Sequence, residues 1–488
     1  MTESYDIVQI FAATKKLQEM NTAPKDSPAN DRLYSSSISP IISINGINLD
    51  VPDVISFEMQ MTAFVPTVKV TFKDTSGIFE SDYLITNDSI ISVFISPYVS
   101  QELLPIRCDF TVSSSEVTGK EYWGTNDVKI RKLTGQLRIP AFFKRTSRVS
   151  DDTSFNTLAS AARDYGLGFS SNVEDTDDKQ IWVNSNSGCR MFIESIINHS
   201  YSDDNSFFTG FVDWFYDLNF VEVNRIFYNA SRQSKGSGKT MKVYAVQLPT
   251  AKATEEDTVP YKDTEYALTN ALSENVWNNY IETYSVIMRN QTTEGYRKYV
   301  QYYDYVNDEF ISEYVDPITA AGEGEIPVSK SRLDTGDANE NLREENISLT
   351  DYGFITDSVH KNYYFAETQN QFNMNMCKGF GIKVTLQAYN PYITMYSGIR
   401  VNIYDYNTGI ATMKKAGDNE DLSPSMGESD GRESGMDANM SVYNESLSGM
   451  YVVTGIRLIY NKQTGIMKEE LTLNRREMKP PTRSLVRQ

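Results

Sequence analysis

The side chains that most often carry catalysis are scarce and widely spaced in this chain. Histidine occurs twice, as His199 and His360, each alone in its stretch, which removes most zinc sites, facial triads and histidine-dependent nucleophiles. The cysteines, Cys108, Cys189 and Cys377, form no CxxC pair, and their odd number fits assembly in a reducing compartment. Enzyme chemistry would therefore rest on carboxylates, tyrosines or lysines. One stretch, Gly236-Ser237-Gly238-Lys239-Thr240, resembles the end of a P-loop, but Gln233 stands where that motif needs its first glycine. Met241 to Leu248 then alternates like a strand, where a phosphate cradle needs a helix N-terminus, so the stretch reads as a flexible basic turn. No catalytic residue, metal ligand or cofactor is expected.

Two readings keep chemistry or ligand binding open. A glycan hydrolase would use paired carboxylates, and acid-rich loops are present, but no spacing constrains a pair and the run Asp418 to Asp421 reads as solvated loop. A glycan-binding adhesin would use an aromatic platform. Tyr280, Tyr284, Tyr296, Tyr299, Tyr302, Tyr303 and Tyr305 follow one another among charged residues, near Trp277. Tyrosines in strands also build sheets at subunit boundaries, and Tyr299, Tyr302 and Tyr303 are the interface candidates. The aromatics of Phe207 to Val221, with Trp214 and Tyr216, read as core.

Totals narrow the classes further. With 46 Lys+Arg against 65 Asp+Glu, the formal charge of -19 repels phosphate backbones and argues against a nucleic-acid reader. Glu3 and Asp6 near the start, and the lack of a basic leader, speak against a signal peptide. No run approaches the ~18 apolar residues of a membrane span, so a soluble chain without a membrane anchor is expected. A length of 488 residues suggests roughly three domains of about 150 residues.

The elements that would position these residues are organised around an echo. Ile393-Thr394-Met395-Tyr396-Ser397-Gly398-Ile399-Arg400-Val401-Asn402-Ile403 matches Ile85-Thr86-Asn87-Asp88-Ser89-Ile90-Ile91-Ser92-Val93-Phe94-Ile95 at six of eleven positions. Both read as a polar turn feeding a strand of period two, and each is followed by a candidate strand pair. These are Cys108 to Ser114 with Val128 to Arg138, and Tyr451 to Tyr460 with Ile466 to Arg475.

Taken in order, Tyr5 to Leu17 has the spacing of a short amphipathic helix, so residues 1–37 form an N-terminal arm and linker. Residues 38–146 are β, with a hairpin at Asn45-Gly46 and half-buried strands at Val54 to Thr62 and Thr67 to Asp74. Residues 147–222 form an α+β insert: a helix capped near Thr153 and stopped at Gly166, a strand at Ile181 to Val183, then a helix through Phe192 and Ile196. Residues 223–376 are a second β region with tyrosine-rich strands and linkers. Residues 377–476 complete the second module, with an acidic insertion, 413–446, that buries too little apolar surface to order itself. Residues 477–488 form a basic tail.

This order of elements resembles the baseplate hub family of contractile phage tails, which includes the late control protein D group and the hub half of type VI secretion spike proteins. The resemblance is carried by Ser397, Gly398 and Val401 in the strand-entering turn, by Tyr451 and Gly455 in the next strand, and by Gly465 and Arg475 in the closing pair. The chain departs from the family where Ser397 replaces a frequent proline and in its long acidic insertion. The resemblance implies a mainly β fold with two tandem, similar tube-type β-barrels, the second discontinuous. It also implies a structural virion protein of the tail baseplate, made late in the host cytoplasm. Such a protein is a homotrimer that adapts a sixfold tail tube to a threefold central spike, contacts baseplate wedge proteins, and lines a conduit through which DNA passes without specific binding.

Overall fold

The structure is a computed structural model that describes residues 7–14, 40–80, 83–86, 88–95, 106–123, 126–227, 240–244, 276–284, 297–316, 347–386, 393–405, 442–443, 449–463 and 465–475. The GSGKT turn up to Lys239, most of the 413–446 insertion and the tail beyond Arg475 lie outside these residues.

The chain opens with β1 (Val8–Phe11), a strand where the apolar spacing predicts a helix. Its partner belongs to the insert, and a free sheet edge there outweighs the weak local preference of so short a segment.

The first module then follows. Strands β2 (Ile41–Ile44) and β3 (Ile47–Asn48) form the expected hairpin. Asn45 and Gly46 take φ of 51° and 85°, the two positive values that this turn requires. Strands β4 (Val54–Met61), β5 (Thr67–Asp74), β6 (Ile90–Ile95), β7 (Ile106–Trp123) and β8 (Asn126–Leu137) complete it, in the order β3-β2-β6-β7-β8-β5-β4. Period-two patterning sends Val68, Val70 and Phe72 into the core and leaves Lys69 and Thr71 half-buried on the other face.

The insert comprises β9 (Arg145–Asp152), α1 (Ser154–Tyr165), β10 (Gly168–Ser171), β11 (Gln180–Gly188), α2 (Cys189–Asn198), β12 (Phe208–Val212) and β13 (Asp217–Glu222). Helix α1 starts where Thr153 accepts the Asn156 N–H and stops at Gly166 in the left-handed region. It buries Phe155 and Leu158, each contributing about 1.5–3 kcal/mol. The sheet order is β1-β10-β13-β12, with β9 and β11 as a separate ribbon. The polar run Asn184 to Gly188 is the end of β11, where Ser185 pairs with Ser147 and Gly188 with Arg145.

Beyond the insert lie β14 (Thr240–Tyr244), β15 (Val276–Tyr284), β16 (Arg297–Asp304), β17 (Glu309–Val315), β18 (Ile347–Ile355), α3 (Tyr363–Cys377), β19 (Phe380–Leu386), β20 (Gly398–Asp405), β21 (Val442–Tyr443), β22 (Gly449–Asn461) and β23 (Ile466–Arg475). Helix α3 falls in the interval that reads as strands and linkers. It buries Thr368, Gln369, Asn370 and Asn373 together with Phe372 and Met376, so its inner face carries no apolar stripe to announce it. The second module runs β15-β19-β23-β22, with β20 also on β22 and β14 on β20. It is therefore assembled from chain on both sides of β16–β18 and α3. The fold is mainly β with an α+β insert, and both modules belong to one 14-stranded sheet joined where β22 pairs with β4.

Candidate assembly surfaces

The two echoing segments build the same turn. Ser89 Oγ accepts the Thr86 N–H at 2.9 Å, and the Ser89 N–H donates to the Thr86 carbonyl at 3.0 Å. In the second copy Ser397 Oγ accepts the Thr394 N–H at 3.2 Å, and the Ser397 N–H donates to the Thr394 carbonyl at 3.2 Å. Ser397 Oγ also donates to the Thr394 carbonyl at 2.7 Å. Short hydroxyl side chains suit such turns because they replace a missing backbone partner.

The correspondence continues residue by residue into the strands that follow. Ile91 pairs with Phe110, and Ile399 with Tyr451. Val112 pairs with Gly135 and Val453 with Leu473, and after each the register slips by one residue, at Ser113 and at Thr454. The hydroxyl of each slipped residue reaches across to an equivalent carbonyl: Ser113 to Thr134 at 3.1 Å, Thr454 to Thr472 at 3.4 Å. The outer strands also correspond, since Val68 and Val70 of β5 face Gly135 and Leu133 while Ile382 and Val384 of β19 face Leu473 and Leu471. By the same reckoning β15 is the counterpart of β4: Tyr280 faces Val384 as Phe57 faces Val70. The modules differ on one flank, where β2 runs antiparallel to β6 but β14 runs parallel to β20.

The joint between modules uses the outer half of β22. Ile456 pairs with Met61, Leu458 with Met59 and Tyr460 with Phe57. Across it Arg457 bridges Glu58 at 3.0 Å and Glu470 at 2.5 Å, an arrangement whose partners lie some 400 positions apart in sequence.

The residues singled out by the resemblance sit along these strands. Ser397 forms the turn; Gly398 pairs with Val452 and Val401 with Gly449 at the entry of β20. Gly455 follows the register slip, where an added Cβ would lie 3.0 Å from the Thr62 methyl and 3.2 Å from the Thr472 hydroxyl. Gly465 closes the turn before β23, its N–H donating to the Asn461 carbonyl at 3.0 Å. Arg475 is fully buried, its guanidinium 4.7 Å from the Tyr451 ring centroid and 5.1 Å from that of Phe380.

The tyrosine-rich strands separate into two faces. In the sheet β17-β16-β18, Tyr299 pairs with Tyr314 and Leu349, and Tyr303 with Phe310 and Phe354. Period two puts Tyr299 and Tyr303, and with them Tyr314 and Phe310, on one face, and the register shift in β18 brings Leu349 and Phe354, five residues apart, onto the same face. Phe310 is 64% exposed, Phe354 58%, Leu349 57% and Tyr314 50%, so a single molecule presents a contiguous apolar surface there. Tyr302 is not part of it. It is 2% exposed on the opposite face, clustered with Val300, Phe372 and Met376 beneath α3, which corrects its expected place among the interface tyrosines.

The fold also brings together polar groups that are far apart in sequence. His199 and His360 meet at the end of α2: the His199 ring stacks on Tyr363 at 3.8 Å, and His360 Nε2 lies 3.2 Å from the His199 carbonyl oxygen. Burial pushes the His360 imidazole down to about 4, so it is neutral near pH 7. Asn370 of α3 joins three segments, accepting the Phe208 N–H at 2.9 Å and donating to the Asn198 and Ser200 carbonyls at 2.9 Å each. Burial raises the carboxyls of Asp213 and Asp217, with the charge of Asp213 adding to the shift at Asp217. Burial also raises Glu222 to about 7. These acids hold turns together: Asp213 accepts the Phe215 and Asp217 N–H groups, and Glu222 those of Asn224 and Arg225.

A cleft lined by Pro140, Lys144, Arg148, Asp164, Tyr165 and Cys189 contains one carboxylate, Asp164, which is paired with Arg148 at 2.5 Å. Among the described residues no three His, Cys, Asp or Glu side chains gather to hold a metal ion, and no helix is long and apolar enough to cross a membrane.

No family model and no curated protein matches the chain. Among solved structures it is similar to the tail protein of Neisseria meningitidis MC58, with 7% identity, 90% of this chain and 96% of that one covered, and a TM-score of 0.46. It is likewise similar to the 43 kDa tail protein of prophage MuSo2 from Shewanella oneidensis, with 8% identity, coverage of 90% and 97%, and a TM-score of 0.45. An E. coli component of the type VI secretion system follows, with 9% identity, coverage of 90% and 79%, and a TM-score of 0.38.

Proposed function

We propose that this chain is a structural hub protein of a contractile tail baseplate, resident in the virion and working without cofactor or chemical step. Three copies would surround one axis and present six modules to the sixfold tail tube, while their threefold symmetry matches a central spike. The observation that carries this reading is the duplication itself: turn, register slip and outer strand recur in both modules, and two such modules per chain give six only with three chains.

Other observations fit. The formal charge of -19 suits a conduit through which DNA slides without sticking. The exposed face of Tyr299, Tyr303, Phe310 and Phe354 supplies an apolar contact for a neighbouring baseplate component, whether spike, tube or wedge. The division of the chain would follow the modules: 38–146 for the first, 377–476 with contributions from 223–376 for the second, and 147–222 between them. A retaining or inverting glycosidase needs two carboxylates about 5–9.5 Å apart, and the cleft at Tyr165 offers a single, ion-paired one. Cryo-electron microscopy of the assembled particle tests the reading. Three copies around the axis with a channel negative on balance are expected; six copies, a rim position or a lumen lined by Lys and Arg would overturn it.

A further inference from the structure

Outside the two modules, strand β9 of the insert has one edge without a partner. It pairs with β11, and among the described residues no backbone group of Arg145 to Asp152 bonds to any other strand. A cleft of about 660 Å³, the size of many ligand sites, lies between β9, the turn Pro140–Phe143 and the end of α1. Thr146, Ser147 and Arg148 line it in succession. Successive strand residues point to opposite faces, so a cleft that touches all three runs along the edge of the strand. Its charged lining is Lys144, Arg148 and Asp164, positive on balance. Arg148 is held by Asp164 at 2.5 Å and Ser160 at 2.7 Å, whereas among the described residues no acid pairs with Lys144. On the outward face of the ribbon Val149 pairs with Val183, and both are more than half exposed. An unpaired edge beside exposed apolar side chains is a template for a further strand.

We propose that the edge of β9 and its cleft are a docking site for an extended acidic segment of a partner protein, which adds to the ribbon as a third strand. Main-chain bonds to the stretch from Arg145 to Val149 supply affinity, and alternate side chains supply selection. The pattern of the segment follows from the alternation along β9. An Asp or Glu points into the cleft toward Lys144, and its two neighbours, apolar and β-branched, point outward beside Ser147 and Val149. Acid is favoured because the uncompensated charge of the cleft is positive while the chain as a whole carries -19, so an acidic segment is drawn to this place and repelled from most others. The site lies in the insert and needs nothing from the ring reading.

Fluorescence anisotropy with the full chain tests the site, using the labelled peptide Ser-Thr-Val-Glu-Val-Thr-Ser and its relative with Lys in place of Glu. The Glu peptide should bind below about 1 mM, and the Lys peptide roughly tenfold or more weakly. Lys144→Glu, a change at an exposed position, should reverse that order and leave the melting curve in place. Main-chain pairing has its own signature. Of two Glu peptides N-methylated on alternate residues, the one whose methyl groups face β9 should lose about tenfold or more, and the other should bind as before, because an added strand uses one edge. Hydrogen exchange of the unmodified chain is a further readout: amides between Arg145 and Val149 should slow when the Glu peptide is saturating. No binding of the Glu peptide up to about 1 mM, or a charge order that Lys144→Glu leaves unchanged, would overturn the site. Equal affinity of the two N-methylated forms, whether high or low, would overturn the strand pairing.

Discussion

Ser89 and Ser397 hold the same post in the two modules: the carbonyl of each accepts the N–H of a valine, Val112 and Val453, at 3.0 Å. Through these bonds each turn is tied to the strand that will slip register one residue later. The Oγ of Ser89 additionally accepts Asn45 Nδ2 at 3.0 Å, anchoring the first hairpin, and Ser89 is 2% exposed. Ser89→Ala is therefore expected to lower stability by about 1–3 kcal/mol, and Ser397→Ala, at a more open turn, by about 1 kcal/mol. Denaturant unfolding of the two variants checks the order.

The register slip after each valine separates tolerant from intolerant positions. Gly455 meets Thr62 of the first module, whereas its counterpart Ser114 is exposed. Gly455→Val should cost about 1–3 kcal/mol through overpacking, and Ser114→Val should stay within about 0.5 kcal/mol in the isolated chain. Equal losses in thermal melts of the two variants would show that the joint does not press on Gly455.

Asn370 fixes α3 to the insert by satisfying one N–H and two carbonyls in a buried place. Asn370→Ala leaves these groups without their partner, and a loss of about 3 kcal/mol is expected. Amide exchange should rise first at Phe208, whose N–H loses its acceptor.

Acid pH should favour the folded insert. The carboxyls of Asp213, Asp217 and Glu222 are raised by burial above the ordinary unfolded value of about 4. Between about pH 4 and 7 the native chain binds more protons at these groups than the unfolded chain, so their contribution to stability falls as pH rises through that window. Asp217→Asn keeps an acceptor for Gln9 Nε2, which donates to Asp217 at 2.6 Å. The variant should melt less differently at pH 5 and pH 8 than the parent chain, by on the order of a few degrees. An unchanged difference would mean that Asp217 ionises normally.

How much of this was legible in the sequence depends on how local each cause is. The Asn45-Gly46 hairpin, helix α1 with Thr153 and Gly166 at its ends, and the alternating strands β4 and β5 are written in turn residues, caps and period two. The Thr-x-x-Ser turn was visible as an echo, because two hydroxyls three residues apart close the same loop twice. Strand β1 and helix α3 were not legible: the first takes its form from the distant edge of β10, the second from polar contacts to α2 and β12. The Arg457–Glu58 bridge was hidden for the same reason, since nothing near either residue announces the other. Tyr302 was misplaced because its neighbours Tyr299 and Tyr303 share its residue type, while alternation along β16 turns it inward.

The exposed face of β16–β18 gives the sharpest separation between stability and assembly. Phe310 and Phe354 are paired with Tyr303 from opposite sides, and both are more than half exposed. They contribute little to the fold of a single molecule, so Phe310→Ser and Phe354→Ser should each change its unfolding free energy by at most about 0.5 kcal/mol. If the face is covered in the assembled particle, the same changes remove apolar area from the centre of a contact, where aromatic side chains often contribute 2 kcal/mol or more, roughly a thirtyfold loss in affinity. Tyr302→Ser should do the reverse, because it opens the core under α3 and costs about 3–5 kcal/mol before any partner is met. Melting curves of the isolated chains, set beside the yield of assembled baseplates, decide the matter. Normal baseplate yield from a Phe310→Ser, Phe354→Ser double variant would show that this face meets solvent, not a neighbour.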